Sequence, residues 1–340
     1  MFLGRFKKTY YRLLSVREEN TENYFHVLDG WRGLSILFVL ATHLLPLGPK
    51  AWRLNETFGP IGMAIFFVLS GFLITNFLIH RPNLFDFIVR RFFRIIPLAW
   101  LYLLFALPIL GVSFSDYLPH FFFYGNWPPM SFIAGSSHFW SLCVEMQFYV
   151  GIAVLFFCFK ERALYITVIL CFIFTAYRVN SGVHIAINTY FRIDEILAGV
   201  IIAMAFNNRL GSVLPRFLKW LNPFYMLVAL CVSAHPESGF FNYFRPYFAA
   251  ILIGSTLYSP PAKLAKFLNL RVLVYLASIS YALYVIHPLL AHTWLGDGEL
   301  IEKYSKRPLL FLVLFALAHL STFYYEKYWI SLAKKLTNRN

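Results

Sequence analysis

Ionisable side chains are costly inside apolar helices, and where they recur at helical spacing they mark a polar seam facing a bundle interior. Four apolar stretches of this 340-residue chain carry such seams. In the first, Asp29, Arg32 and His43 stand out. At 100° per residue, Arg32 and His43 fall within about 20° of one helix face, about 16 Å apart along the axis. A second stretch places His138, Ser141, Glu145 and Tyr149 at i, i+3, i+7 and i+11, a single stripe. A late stretch places Ser280, Tyr284 and His287 on one face. A fourth opens with Arg192, Asp194 and Glu195, where Arg192 and Glu195 at i, i+3 suit an ion pair, and Gly199 one turn further permits close helix approach. Elsewhere Arg90, Arg91 and Arg94 precede Pro97, which suits a helix start or kink.

Each residue type has a definite chemistry. An imidazole is a base near neutral pH. A carboxylate flanked by hydroxyls within an apolar helix must find a partner or bind a proton. Clustered guanidinium forks recognise phosphates, and equally anchor a protein to anionic lipid. His43, Glu145 and His287 come from three helices and are expected at similar depth, lining one cavity. Each group also has a structural alternative: a hydrogen-bonded interhelical histidine, an interface residue such as His138, or a purely structural network. Cys143, Cys158, Cys171 and Cys231 lie in apolar runs without metal-like or disulfide-like spacing, so no metal site is expected.

The elements that hold these residues follow from composition. Hydrophobic residues make up 59% and charged residues 14%, against roughly 25% charged in soluble domains. A soluble enzyme, a disordered chain and a collagen-like fibre are excluded, and an outer-membrane barrel is disfavoured because the apolar runs do not alternate. The expected fold is all-α, a polytopic integral membrane bundle. Ten stretches approach the roughly 20 residues that a spanning helix needs. They centre near Val39, Leu69, Leu103, Gly151, Leu170, Val200, Leu227, Leu252, Leu283 and Leu314. Residues 1–25 read as a basic cytoplasmic arm, 26–330 as the membrane domain and 331–340 as a basic cytoplasmic tail. The first apolar run starts near Leu34, too late for a cleaved signal peptide.

The net charge of +14 is read as the positive-inside bias of membrane loops rather than as affinity for nucleic acid. With ten spans and both termini cytoplasmic, 21 basic residues fall inside and 8 outside, Arg32 being within the first helix. The connection from Val112 to Ser137 is aromatic and almost uncharged. It forms either a short re-entrant segment serving as lid or acceptor groove, or ordinary interfacial aromatic anchoring.

Taken together, these segments resemble the integral-membrane acyltransferase-3 family. The resemblance rests on Leu28-Asp-Gly-Trp-Arg-Gly33 with the gap from Arg32 to His43, Phe66-Phe-Val-Leu-Ser-Gly-Phe-Leu-Ile74 and Arg91-Phe-Phe-Arg-Ile-Ile-Pro97. It continues through Trp140-Ser-Leu-Cys-Val-Glu-Met-Gln-Phe-Tyr149 and Ser280-Tyr-Ala-Leu-Tyr-Val-Ile-His287. Met146, Ala277 and Trp31 depart from residues common in the family. No hydrolase-like segment of the kind some members carry is expected after the last apolar stretch.

The resemblance implies transfer of an acyl group, usually acetyl, from cytoplasmic acyl-CoA to a hydroxyl of a cell-surface carbohydrate such as O-antigen or exopolysaccharide. The carbohydrate can be lipid-linked, and the setting is the bacterial cytoplasmic (inner) membrane. It assigns the essential histidine to His43 and the arginine to Arg32. Arg91 and Arg94, with Arg90, then hold the CoA phosphates. Glu145 either orients His43 or binds the sugar. Asp29, Ser70, His138, Ser141, Tyr149, Tyr284 and His287 line the substrate path. His43 acts as general base or as transient acyl carrier. The alternatives are an acyltransferase acting on a small molecule, and a transporter of a sugar, lipid or acyl unit through the polar core.

Overall fold

The computed structural model describes residues 26–129, 132 and 135–337. The basic arm of residues 1–25 lies outside the described residues, as do 338–340. Among the described residues the fold is helical throughout, with no strand. The ten apolar centres all fall in helices: α1 (His26–Leu44), α2 (Leu54–His80), α3 (Leu84–Ile109), α4 (Phe139–Phe159), α5 (Arg162–Asn180), α6 (Thr189–Phe206), α7 (Pro223–Ala234), α8 (Arg245–Tyr258), α9 (Arg271–Ala291) and α10 (Arg307–Leu320). A π-helical turn, Ser321–Glu326, joins α10 to α11 (Lys327–Thr337).

Ten full spans is more than the helix lengths bear out. Seven helical segments are long and apolar enough to cross a membrane, or eight if the pair Val213–Trp220 and α7, bent by 92°, counts as one. α8 has only 14 residues, and α6 carries Arg192, Asp194 and Glu195 in its first half. The physical reason is that α6 is enclosed by other helices. It faces protein rather than lipid, and its charges find partners there.

Large apolar side chains such as Leu104, Phe105, Val154, Phe172 and Leu312 are more than half exposed, as a lipid-facing surface requires, and the interior combines an apolar core, including Phe67, Phe72 and Phe139, with close-packed glycines, serines and paired charges. α2 is the central helix, packed on α1, α6, α7 and α8. Its closest contact is reciprocal. A Cβ on Gly71 would lie 1.9 Å from the Ile196 carbonyl oxygen, and one on Gly199 would lie 2.1 Å from that of Val68. The close approach expected of Gly199 is therefore present. Gly30 and Gly33 do the same for α1, where a Cβ would stand 2.3 Å from the Leu268 carbonyl oxygen and 2.4 Å from that of Leu273. Trp31, between them, donates its indole N–H to Thr256 Oγ1 at 3.0 Å, which ties α1 to α8.

The connections alternate between two ends. At one, Asn207 donates to Asn76 (2.9 Å), Arg209 pairs with Glu161 (3.0 Å) and Arg90 donates to Thr337 (3.1 Å). At the other lie His43, His287 and the Val112–Ser137 connection. They are called below the arginine end and the histidine end.

Gly71→Ala should lower thermal stability in detergent by at least about 1–3 kcal/mol, because the backbone of α6 must move to admit the methyl group. Gly151→Ala, where nothing lies within 4 Å, should leave it equal or slightly higher; thermal unfolding of the two variants compares them.

Candidate active site

α1 ends, and α9 nears its end, at the same level. There His43 Nδ1 lies 2.9 Å from His287 Nε2, with the rings stacked at 5.1 Å between centroids. His287 is buried at 1% exposure while His43 is exposed. His287 Nδ1 lies 2.8 Å from the Tyr284 carbonyl and 3.2 Å from that of Leu283. Carbonyls only accept, so His287 Nδ1 carries the proton and its Nε2 presents a lone pair. That lone pair accepts from His43 Nδ1–H. In the neutral pair the proton-free nitrogen of His43 is then Nε2, on the exposed ring. The arrangement is that of a base whose tautomer is fixed by a neighbour, with imidazole in place of the more usual carboxylate.

His138, at the start of α4, completes a three-ring cluster, 5.7 Å from His287 between centroids. Its Nε2–H donates to the Val285 carbonyl at 3.2 Å. Its buried Nδ1 has no partner among the described residues. Ser141 and Tyr284 share a hydrogen bond of 2.5 Å, and the Tyr284 hydroxyl also donates to the His138 carbonyl at 2.6 Å.

Glu145 occupies a different level. α4 enters with His138 beside His287, so Glu145 falls two turns further in, about 10 Å along the axis. The expected common depth of His43, Glu145 and His287 thus holds for the two histidines only. Glu145 Oε1 accepts from Ser70 and from Tyr149, each at 2.5 Å; the group on His43 is His287. Tyr149 in turn lies under the Arg91 guanidinium, 5.8 Å from ring centroid to Cζ. The α4 stripe therefore runs from the imidazole cluster to the arginines without leaving one helix face.

At the arginine end, Arg90, Arg91 and Arg94 line a cavity of about 200 Å³ together with Phe77, Phe87 and Lys334. Arg90 Nε donates to Thr337 Oγ1. The Tyr281 hydroxyl donates to the Ile95 carbonyl at 2.6 Å and that of Tyr325 to the Pro97 carbonyl at 3.1 Å, so the kink-prone segment around Pro97 is held by α9 and the π-turn. Arg32 stands 3.8 Å from Asp29 on α1, largely sheltered.

Two features escape sequence inspection. The i, i+3 pair of Arg192 and Glu195 is present at 3.1 Å, but it belongs to a larger cluster. Arg245 donates to Glu195 at 2.8 Å and Arg178 pairs with Asp194 at 3.0 Å, all nearly inaccessible. Arg192 also lies 5.1 Å over the Trp140 ring. Arg178 and Arg245 sit at the ends of apolar runs, where they read as loop charges. The second feature is the anchor of the aromatic connection: that segment is read as re-entrant or interfacial, but its hold on α4 through Gln147 has no sequence signal. Gln147, eight residues into α4, accepts from Trp127 at 2.8 Å and from Thr189 at 2.5 Å, and donates to Asn126 Oδ1 and the Phe123 carbonyl. Among the described residues no group of His, Cys, Asp and Glu is arranged to hold a metal ion.

An apolar bundle with a tautomer-fixed imidazole at one end and clustered guanidinium groups at the other has the parts of a membrane enzyme that moves an acyl group. The acyltransferase domain family matches residues 25–327, and the chain belongs to that family. It is 27% identical over 317 residues to the peptidoglycan O-acetyltransferase OatA of Listeria monocytogenes, covering 78% of this chain and 49% of that one. The putative peptidoglycan O-acetyltransferase YrhL of Bacillus subtilis is 29% identical over 312 residues, 78% of this chain and 48% of its own. A putative O-acetyltransferase of Staphylococcus aureus is 26% identical over 332 residues, 82% and 53% of the two chains. The chain thus spans about half the length of these curated relatives. No solved structure matches it.

Arg245→Leu should cost about 3–5 kcal/mol of stability, because it takes the donor from the buried Glu195 Oε1 and leaves that carboxylate with Arg192 as its single cation among the described residues. Arg209→Leu, which breaks only the exposed pair with Glu161, should cost about 1 kcal/mol or less; unfolding in detergent measures both.

Proposed function

We propose that this chain is a multi-pass O-acyltransferase of the bacterial cytoplasmic membrane. It moves an acetyl group from acyl-CoA, bound at the arginine end, to a carbohydrate hydroxyl presented at the histidine end. The observation that carries this is the His43–His287 pair, which leaves one uncommitted lone pair on an exposed imidazole. The arginine end faces the cytoplasm in this scheme, since the basic residues concentrate there, and the first and last described residues, His26 and Thr337, lie on that side.

Arg90, Arg91 and Arg94 hold donor phosphates through charge-assisted hydrogen bonds. The thioester lies along the α4 stripe towards His43, past Tyr149, Glu145 and Ser70. The acceptor hydroxyl attacks the thioester carbonyl carbon as His43 Nε2 takes its proton. The C–O bond forms, the C–S bond breaks, and the departing sulfur recovers the proton, leaving an ester and the free thiol. The imidazolium formed on the way is stabilised through Nδ1–H by the lone pair of neutral His287. A route through an acyl group carried on His43 uses the same nitrogen and the same support. Ser141 and Tyr284 lie at the level of the imidazoles, and turning the Tyr284 hydroxyl from the His138 carbonyl gives a developing oxyanion its donor. Arg32 and Asp29 line the donor side. The names of the relatives, together with the family resemblance, support a cell-surface glycan as acceptor, whether peptidoglycan, O-antigen, exopolysaccharide or a lipid-linked precursor.

Purified protein in vesicles supplied with labelled acetyl-CoA and a glycan acceptor tests the assignment. His43→Ala should lower transfer by about 10²–10⁴-fold with insertion unchanged. His287→Ala should lower kcat with the KM for acetyl-CoA unchanged, and His287→Gln, which restores an acceptor for His43 Nδ1–H, should recover part of the loss. Arg91→Ala and Arg94→Ala should act chiefly by raising the KM for acetyl-CoA. Normal transfer by His43→Ala, or passage of intact solute without acetylation, would overturn the assignment.

A further inference from the structure

The α3–α4 seam that carries Arg91 over Tyr149 does not stop at the arginine cavity. Below it lies a groove of about 490 Å³ lined by Arg81, Asn83, Phe85, Phe156, Phe157 and Lys160, among others. Phe156 is eighteen residues, five full turns, from His138. It therefore lies on the same face of α4 as Ser141, Glu145 and Tyr149, about 27 Å from His138 along the axis. One helix face thus joins this groove to the imidazole cluster.

The lining is chemically two-sided. Arg81 and Lys160 are exposed, and neither has a carboxylate within ion-pair distance among the described residues. The neighbouring carboxylate of Glu161 is taken by Arg209 at 3.0 Å. The 26-residue helix α3 begins in the groove, with Asn83 accepting from the Asp86 N–H at 3.2 Å. Its first N–H groups add positive potential, tempered by the Asp86 side chain in the same turn. The remaining wall is aromatic, with Phe85 62% and Phe157 72% exposed. A ligand that matches both parts has a planar ring to lie on phenylalanine and phosphates to meet the cations.

We infer that this groove holds the 3′-phosphoadenosine end of the acyl-CoA donor. Arg90, Arg91 and Arg94 then take the pyrophosphate, and the pantetheine arm follows the α4 stripe inward. The inference rests on the donor assigned under the proposed function. An anionic lipid headgroup offers the same phosphate chemistry without the ring or the thioester, and the test separates the two.

Transfer by wild-type protein and by the double variant Arg81→Gln/Lys160→Gln is measured with acetyl-CoA and with S-acetylpantetheine, which lacks the nucleotide. Vesicles with and without phosphatidylglycerol are compared. The ratio of KM for S-acetylpantetheine to KM for acetyl-CoA should be high in the wild type. It should fall at least about fivefold in the double variant, in both vesicle types, as the KM for acetyl-CoA rises. Lys219→Gln removes a cation at the same end but outside the groove and should leave the ratio at its wild-type value. Adenosine 3′,5′-bisphosphate should compete with acetyl-CoA in the wild type and lose that competition in the double variant. An unchanged ratio in an active double variant overturns the nucleotide site and leaves the donor assignment standing. A loss equal for both donors and governed by phosphatidylglycerol overturns it in favour of a lipid headgroup. A wild-type protein that accepts acetyl from neither thioester overturns the donor assignment as well.

Discussion

The hydrogen bond between His43 and His287 depends on two helices that meet backbone to backbone. α1 meets α9 backbone to backbone at Gly33, against Leu273, and at Gly30 it meets Leu268, the last residue of the short helix that leads into α9. With larger residues there the imidazoles would part, and the free lone pair would no longer be assigned to one nitrogen. His287 is in turn held by carbonyls of its own helix, Tyr284 and Leu283. The tautomer at the exposed ring is therefore a property of helix packing, transmitted through a single buried side chain.

Polarity is distributed through the bundle by the same rule. Water is scarce in the hydrocarbon region, so each interior polar group must be answered by protein. Glu145 is answered by Ser70 and Tyr149, Glu195 by Arg192 and Arg245, Asp194 by Arg178. The two kinds of cluster do different things. The arginine–carboxylate cluster of α5, α6 and α8 fastens three helices, with Arg178, Arg192 and Arg245 each keeping a buried nitrogen that has no hydrogen-bond partner among the described residues. The α4 stripe is a sequence of partially met groups that leads from one end of the bundle to the other.

Much of this is legible in the sequence. The α4 stripe, the shared face of Tyr284 and His287, the Arg192–Glu195 pair and the tight packing at Gly199 all follow from helical period, which acts over a few residues. What the period cannot carry is contact between distant segments. His43 and His287 are 244 residues apart and Arg245 is 50 residues from Glu195, so their partnerships depend on how helices are arranged. Apolar content alone does not separate a lipid-facing span from an enclosed helix: α6 is apolar and yet surrounded by protein, so seven or eight helices pass the test of length and composition where ten apolar stretches are read. The depth of Glu145 relative to His43 depends on where α4 enters the bundle, which the helical period does not fix. The groove at Arg81 and Lys160 has no sequence signature, since it arises where a tight connection meets the end of another helix.

The segment between α3 and α4 bears on how the two ends of the bundle communicate. Gln147 is gripped at once by Asn126, Trp127, the Phe123 carbonyl and Thr189. It stands on the same helix as His138, Ser141, Glu145 and Tyr149. A bulky molecule that pushes on this outer segment leans, through one amide, on the rod that threads the whole interior. Displacement of this segment and the setting of the polar groups along α4 are thereby placed in mechanical series.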